Sequence, residues 1–392
     1  MDLISTLIFS AGVALIALVF HDIFQGVVVP RWSSRRWRIA PFFVDLLWRG
    51  WRYLGQRRRD VEAREDFLGS YAPTALMLLL ALWVALLITG YGLCFWALRA
   101  FEEPSPVNFF EAVYIAGETF LTIGYGDFKP ISGLSRLVAL SAGASGLAVF
   151  ALVISFLFTL YGTFERREVL IVTLDARAGN PASGVALLQT YAELDLLDDL
   201  PRLFSQWEEW SAQVLQSHIA YPILPFFRSS HEGESWIAAL GAVLDAATLL
   251  TTTVCTGAID RPELGSDAAK NLENKCNQKQ MGAAHIMIRI GCHTVIDLSH
   301  WFGFRHDEDP SPHPGVEKIE FVLARRHLES AGYKLRGEAE SWADFSRQRA
   351  VYALSLNELA KHFAAPPAQW VGDRSMIAQS AHRLPQKPRN NL

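Results

Sequence analysis

The residues whose types and spacing could do chemistry are Thr122, Ile123, Gly124, Tyr125, Gly126 and Asp127, which read T-I-G-Y-G-D. Two glycines alternate with bulkier residues, and glycine alone reaches positive φ without steric cost, so alternating backbone twists can turn successive carbonyls the same way. A row of aligned carbonyls is a path for a cation. Four copies around an axis would offer rings of oxygens in place of the hydration shell of a large monovalent ion, and the Thr122 hydroxyl would add a ring at the inner end. Ile123 and Tyr125 are then expected to point away and pack behind.

A second, similar stretch serves as an internal control. Thr89, Gly90, Tyr91 and Gly92 read T-G-Y-G, without the residue between Thr and Gly and without the Asp, inside a long apolar run. There the glycines read as small residues of a membrane helix, where they allow close approach of another backbone.

The elements that must position the first stretch follow from composition and charge. The chain has 392 residues, of which 51% are hydrophobic, so membrane and soluble parts are expected to coexist. From Arg31 to Asp66 there are ten Arg and no Lys against five acidic residues, whereas from Glu165 onward there are 23 basic and 28 acidic. The first is a charged membrane flank and the second an ordinary soluble surface. Cys94, Cys255, Cys276 and Cys292 are scattered with no CxxC, so reduced thiols are expected.

Residues 1–30 read as a first transmembrane helix with no signal-peptide features, His21 and Asp22 lying near one interface. For that pair the alternatives are an ion or proton relay, interfacial snorkelling, or a hydrogen bond between helices. Residues 31–68 form an Arg-rich segment. Arg31, Arg35, Arg36, Arg38, Arg49, Arg52, Arg57, Arg58, Arg59 and Arg64 are expected to stay cytoplasmic, placing the amino terminus outside. Ile39, Phe42, Phe43, Leu46, Leu47, Trp48, Trp51 and Leu54 recur there at helical spacing, as in an amphipathic helix at the inner headgroup boundary. The arginines cluster around Pro and polar residues instead of recurring every third position in a span, which argues against a voltage sensor.

Residues 69–164 are expected to hold an outer span over 72–98, a short re-entrant helix over 107–121 capped at Ser105 with Pro106 in its first turn, the T-I-G-Y-G-D loop, and an inner span over 134–161. The carboxyl end of the re-entrant helix directs partial negative charge below the loop, which favours cations. Non-helical backbone at membrane depth is tolerable only when buried in protein or lining water.

On these residues, 72–163 resembles the outer helix, pore helix, selectivity filter and inner helix of a potassium channel pore. The resemblance implies a homotetramer, because there is a single filter per chain, and a potassium-selective pore in the plasma (cell inner) membrane. Potassium would be held by Thr122, Ile123, Gly124 and Tyr125, with Gly126 completing the filter. It implies no cofactor beyond the permeant potassium ion. Glu118 and Asp127 have the spacing of a carboxyl pair held behind the filter in some members, sharing a proton; the alternative is a Glu118 bond to backbone. Gly143 and Gly146 fall where family inner helices bend, although close helix packing explains them equally. The register carries Phe150, Ile154 and Phe158 toward the cavity, where aromatic rings could gate by dewetting. Phe120 and Leu121 depart from the small or hydroxylated residues usual there. A less selective cation channel or a potassium uptake transporter subunit are the alternatives, the latter normally needing four such loops in one chain.

Residues 165–363 are expected to be a mostly helical cytoplasmic domain. A short β-prone run over 169–174 comes first, then a stripe of Leu203, Trp207, Trp210 and Val214, and an apolar helix over 236–254 read as buried rather than spanning. A helix over 281–304 and one carrying Trp342, Phe345, Arg349, Tyr352, Leu356 and Leu359 follow. No glycine-rich nucleotide fingerprint follows a strand, no nucleophile and base share identifiable spacing, and nothing points to nucleic acid, so an enzyme is not expected. His231 and Glu232 open H-E-G-E-S, which lacks the second His of a zinc protease. His306, Asp307, Glu308, Asp309 and His313 read as a solvated loop or a divalent-ion site. His285, Arg289, His293 and Asp297 recur every four residues on one helix face: a pH or anionic-ligand sensor, or a polar seam between subunits. Residues 364–392 read as a disordered tail. The fold class expected is an all-α membrane protein, with a tetrameric potassium-channel-like pore and an extra N-terminal transmembrane helix.

Overall fold

The computed structural model describes residues 2–28, 39–229, 231, 233–255, 267–304 and 314–371, the side chains of residues 61 and 267–276 excepted. Arg31, Arg35, Arg36 and Arg38, Glu232, the His306 to His313 group and residues 372–392 of the expected tail lie outside the described residues. The protein is an all-α membrane protein, with helices long and apolar enough to cross a membrane at Leu3–Val27, Glu62–Ala97 and Gly133–Ala178. It divides into two compact units, Met1–Thr163 with Ala220–Phe227, and Phe164–Ile219 with Arg228–Leu392.

In the first unit, α1 (Leu3–Ile23) starts on Asp2, whose carboxylate accepts from the Ser5 N–H at 2.8 Å, and continues through a π-helical turn, Phe24–Val28. It packs along α4 (Tyr71–Ala97) through small residues: a Cβ on Gly12 would lie 2.7 Å from the Gly90 carbonyl oxygen. Asp22 is buried at the end of α1. It accepts from the backbone N–H of Ile39 at 2.9 Å, of Ala40 at 3.1 Å, and from Trp83 Nε1 at 2.8 Å. Of the three readings of Asp22, the hydrogen bond between helices is the one these distances describe. The carboxylate satisfies otherwise orphaned N–H groups at the positive end of α2 (Ile39–Gln56) and ties that helix to α4.

Helix α2 is amphipathic as its pattern implies, burying Ala40, Val44 and Trp48 and exposing Phe42, Leu46, Tyr53 and Leu54. The Tyr71 hydroxyl donates to the Val44 carbonyl at 2.6 Å, and the Trp48 ring lies 4.8 Å from the Tyr71 ring. A short helix α3 (Val61–Gly69), capped by Asp60, leads into α4. Beyond α4, β1 (Glu102–Glu103) pairs antiparallel with β2 (Lys129–Pro130), closing a strap around α5 (Phe109–Phe120) and the loop that follows. The cap of α5 is Asn108, not Ser105. Asn108 Oδ1 accepts from the Glu111 N–H at 3.0 Å while Glu111 reaches back to the Val107 N–H at 2.6 Å, and Ser105 instead donates to the Arg99 carbonyl. Residues 106–108 are not helical, and the paired contacts of Asn108 and Glu111 set the start of the helix.

Helix α6 (Gly133–Ala178) is longer than the span expected from its apolar run. The run over 169–174, expected to be β-prone, is helical. Arg167, Ile171, Leu174 and Ala178 are buried at spacings of four and three, and packing along that face outweighs the local preference of the β-branched residues.

The second unit comprises the end of α6 with α7 (Gly184–Glu193), α8 (Leu200–Ala220), α9 (Trp236–Thr253), α10 (Asp267–Trp301), α11 (Lys318–Ser330) and α12 (Glu338–His362). Leu203, Trp207, Trp210 and Val214 form the buried stripe of α8, with the two indole rings 4.6 Å apart. Helix α9 is apolar enough to span, yet its 94% burial among α7, α10 and α12 makes it the core of this unit. Its single charge, Asp245, accepts from Arg349 Nε at 2.8 Å and from the Tyr352 hydroxyl at 2.6 Å, both on α12. Arg349 Nη2 also donates to the Trp370 carbonyl at 2.7 Å, so the buried pair has its remaining hydrogen bonds filled.

Candidate ion pathway

The loop is held by the end of α5. Leu121, Thr122 and Ile123 donate their N–H groups to the carbonyls of Gly117, Thr119 and Glu118 at 2.9, 3.1 and 2.8 Å, after which the chain leaves the helix. Thr122, Gly124 and Gly126 then take positive φ, of 58°, 63° and 77°, while Ile123 and Tyr125 between them do not. Left-right alternation of this kind is what allows successive carbonyls to turn to one side. Within one chain a Cβ added at Gly124 or Gly126 would touch nothing within 4 Å, so there the positive φ, and not space, is what favours glycine. Thr122 to Asp127 are all exposed within one chain, and Tyr125, expected to pack behind, is 71% exposed there.

Behind the loop, Glu118 is buried with one carboxyl oxygen lacking a hydrogen bond, and the groups that bear on it are the Asp127 carboxyl and the Tyr125 backbone. Asp127 also bears on the Tyr114 hydroxyl, whose ring stands edge-on to Phe128 at 6.3 Å. Helix α6 passes so close that a Cβ on Gly146 would lie 1.8 Å from the Phe120 carbonyl oxygen; at Gly143 the corresponding distance, to Thr119, is 3.6 Å. The Tyr91 hydroxyl joins α4 to α6 through Ser145 Oγ at 2.7 Å and the Ser141 carbonyl at 3.2 Å.

On the strap, the Ile131 N–H and the Ser135 hydroxyl donate to the Phe101 carbonyl at 3.0 and 3.3 Å. Glu102 beside them is buried, and among the described residues neither of its carboxyl oxygens has a hydrogen-bond partner in good geometry. Burial pushes its carboxyl up to about 7, the nearby Ser135 hydroxyl opposing the shift. Nothing in the sequence distinguishes Glu102 from the exposed Glu103 next to it; only the strap pairing does.

Phe150, Ile154 and Phe158 lie on one face of α6 and are uncovered within the chain, Phe158 at 78% exposure. His285, Arg289 and His293 line the exposed face of α10, with Asp297 half-buried and its carboxylate 3.5 Å from His293 Nε2. A network the sequence did not signal lies at the first turns of the second unit. Arg167 is buried, paired with Glu168 at 2.9 Å and 3.4 Å from His218 Nε2, and its carbonyl accepts from Trp210 Nε1 at 3.0 Å.

Residues 74–162 match the family described as ion channel. The chain is similar to the uncharacterized membrane protein YdjJ of Bacillus subtilis (strain 168), with 26% identity over 208 residues, 51% of this chain and 57% of that protein. The matched segment thus covers a little over half the length of the relative. No solved structure matches the chain. Helix α5, the loop that carries Thr122 to Asp127 and the part of α6 up to residue 162 fall within the segment that matches the ion channel family.

Proposed function

We propose that the protein is a potassium-selective channel, conducting passively through a homotetrameric pore and gated through its second unit. The observation that supports the reading is the alternation of φ over Thr122 to Gly126 directly after the carboxyl end of a short helix, the pattern a ladder of carbonyls and a cation-favouring pole need. In the tetramer, Thr122, Ile123, Gly124 and Tyr125 supply the potassium-coordinating oxygens, and neighbouring chains cover the side chains of Ile123 and Tyr125 that one chain leaves exposed. Glu118 and Asp127 share a proton behind the filter. Phe150, Ile154 and Phe158 face the cavity, and Gly146 serves close packing against Phe120, with bending left to the helix below.

The arginines of α2 and the turn after it, Arg49, Arg52, Arg57, Arg58 and Arg59, keep that segment cytoplasmic in the cell membrane, placing the amino terminus outside and the second unit inside. Helix α6 runs unbroken from Gly133 to Ala178, so a ligand or proton acting on the second unit acts on the helix that lines the pore. The exposed α10 face of His285, Arg289, His293 and Asp297 is one place for such a signal. Purified protein in a planar bilayer tests the ion claim: the reversal potential should follow the potassium gradient and ignore sodium. A reversal potential that follows both ions equally, or strict stoichiometric coupling to a second solute, would overturn it.

A further inference from the structure

Eight residues from the second half of the chain belong to the first unit. Ala220–Phe227 reads A-Y-P-I-L-P-F-F, without a charge, and groups with Met1–Thr163, although the chain on both sides of it belongs to the second unit. Ile223, Leu224, Phe226 and Phe227 are buried, around a single 3-10 turn in which the Phe227 N–H donates to the Leu224 carbonyl at 3.1 Å. Both ends are tied down in the second unit. His218, two residues before the segment, is buried with its ring edge-on to Trp236 at 4.8 Å, and Arg228, directly after it, donates to the carbonyls of Phe363 and Ala364 at 3.2 and 2.7 Å.

Within the first unit the segment joins three helices through aromatic rings. Phe226 stands edge-on to Trp48 of α2 and to Tyr71 of α4, both at 5.2 Å. Phe227 stands edge-on to Tyr161 of α6 at 5.8 Å, and the Tyr221 ring lies 5.8 Å from that of Phe156 on the same helix. These separations are those of favourable aromatic pairs. Phe156 and Tyr161 bracket Phe158 and lie on different sides of α6: Phe156 is buried on its back, whereas Tyr161 comes about two turns after Ile154 and shares the uncovered face. A helix held on one side can roll about its axis. Held on both, α6 has the direction of Phe158 fixed.

We propose that Ala220–Phe227 is a clamp through which the second unit controls the pore: by gripping α6 at Phe156 and Tyr161 it keeps the Phe158 ring turned into the ion path, and release of the grip lets α6 roll and the constriction widen. That role rests on the potassium-channel reading and on Phe158 facing the path. Phe226, seated against Trp48 and Tyr71, is the fixed point of the clamp. Because both of its ends are anchored in the second unit, a change of shape there reaches α6 beside Phe158.

Single-channel recording of the full-length protein in a planar bilayer tests this. Phe227→Ala should raise the ratio of open to closed time by about threefold or more, while the current through an open channel and the reversal potential stay as in the wild type. Tyr161→Ala, at the partly exposed partner of that ring pair, should do the same and decides if Phe227→Ala does not fold; Tyr161→Phe, which retains the ring, should match the wild type. Gly90→Ala, which loosens the first unit elsewhere, should leave the ratio unchanged, so lost stability alone is not the cause. A second measurement needs no conduction: amide exchange over residues 156–161 should quicken by about tenfold in Phe227→Ala, with α9 unaffected. An unchanged or lowered ratio in an alanine variant of the clamp that folds, an equal rise in Gly90→Ala, a wild type without closed times, or unchanged exchange over residues 156–161 would overturn the clamp. A wild type that carries no potassium current removes the channel reading alone, and exchange then decides whether the segment holds α6.

Discussion

Gly90 and Gly92 lie in helix α4, whereas Gly124 and Gly126 lie in the loop after α5 with φ of 63° and 77°. The four residues sit in nearly the same local sequence, T-G-Y-G against T-I-G-Y-G-D, yet the reason each must be glycine is opposite. In the helix it is space. A Cβ on Gly90 would meet Ile16 of α1 at 2.8 Å, and one on Gly92 would meet Val113 of α5 at 2.9 Å. In the loop space is free and backbone conformation is the constraint. The tyrosines differ likewise: Tyr91 is buried and bonded to Ser145, while Tyr125 is exposed. A short motif therefore acquires its meaning from the element that carries it, and the residue inserted after Thr122 accompanies a change from helix to ladder.

The comparison can be broken most severely at Gly146, which shares the space constraint but faces a carbonyl oxygen that cannot rotate away. Gly146→Ala should cost about 3 kcal/mol despite alanine's better helix propensity, read as a large drop in the thermal midpoint in detergent. An unchanged midpoint would mean that α6 does not pass against Phe120 as described. Next comes the contact between α1 and α4. Gly12→Ala, which meets the Gly90 carbonyl at 2.7 Å and Cys94 Sγ at 2.8 Å, should destabilise by about 2 kcal/mol, and Gly90→Ala, which meets mainly the movable Ile16, by about 1 kcal/mol. A reversed order would count against the packing account.

A smaller effect belongs to the strap beside the loop copy. The Glu102 carboxyl is raised to about 7 in the folded protein, so its contribution to stability is fully present below the ordinary carboxylate pKa and is lost as pH rises through about 7. Amide exchange at Ile131, whose N–H bonds to Phe101, should quicken from about pH 5 to pH 8 beyond the intrinsic base catalysis, and Glu102→Gln should remove that excess. The smallest effect, with the opposite sign, is expected at Gly50. It lies exposed in α2 with nothing within 4 Å of a Cβ, and Gly50→Ala should stabilise by about 0.5–1 kcal/mol.

Much of the architecture is legible in the sequence because the membrane imposes long apolar runs. Leu3 to Val27 and the apolar core of α4 stand out by length, and the Leu203, Trp207, Trp210 and Val214 stripe by its period. Long-range pairing is not legible. Asp245 reads as a break in an apolar helix, and only the fold supplies Arg349, 104 residues away, as its partner. Asp22 reads as an interfacial charge until Ile39, Ala40 and Trp83 converge on it. Boundaries fail where two local signals compete: Ser105 and Asn108 are both good caps, and the box completed by Glu111 decides between them. The run from Val169 to Leu174 reads as strand by residue type, yet it continues α6 because Ile171 and Leu174 fall on that helix's buried face.

The direct test of the contrast between the two glycine stretches is potassium flux into vesicles, measured per folded protein, for the wild type, Gly124→Ala and Gly90→Ala. The loop account predicts that Gly124→Ala folds with a midpoint within about 1 kcal/mol of wild type but loses flux, because the left-handed φ and not space is what alanine cannot supply. Gly90→Ala should be less stable but should conduct once folded. Wild-type flux in Gly124→Ala, or equal loss of flux in both variants at normal folding, would contradict it.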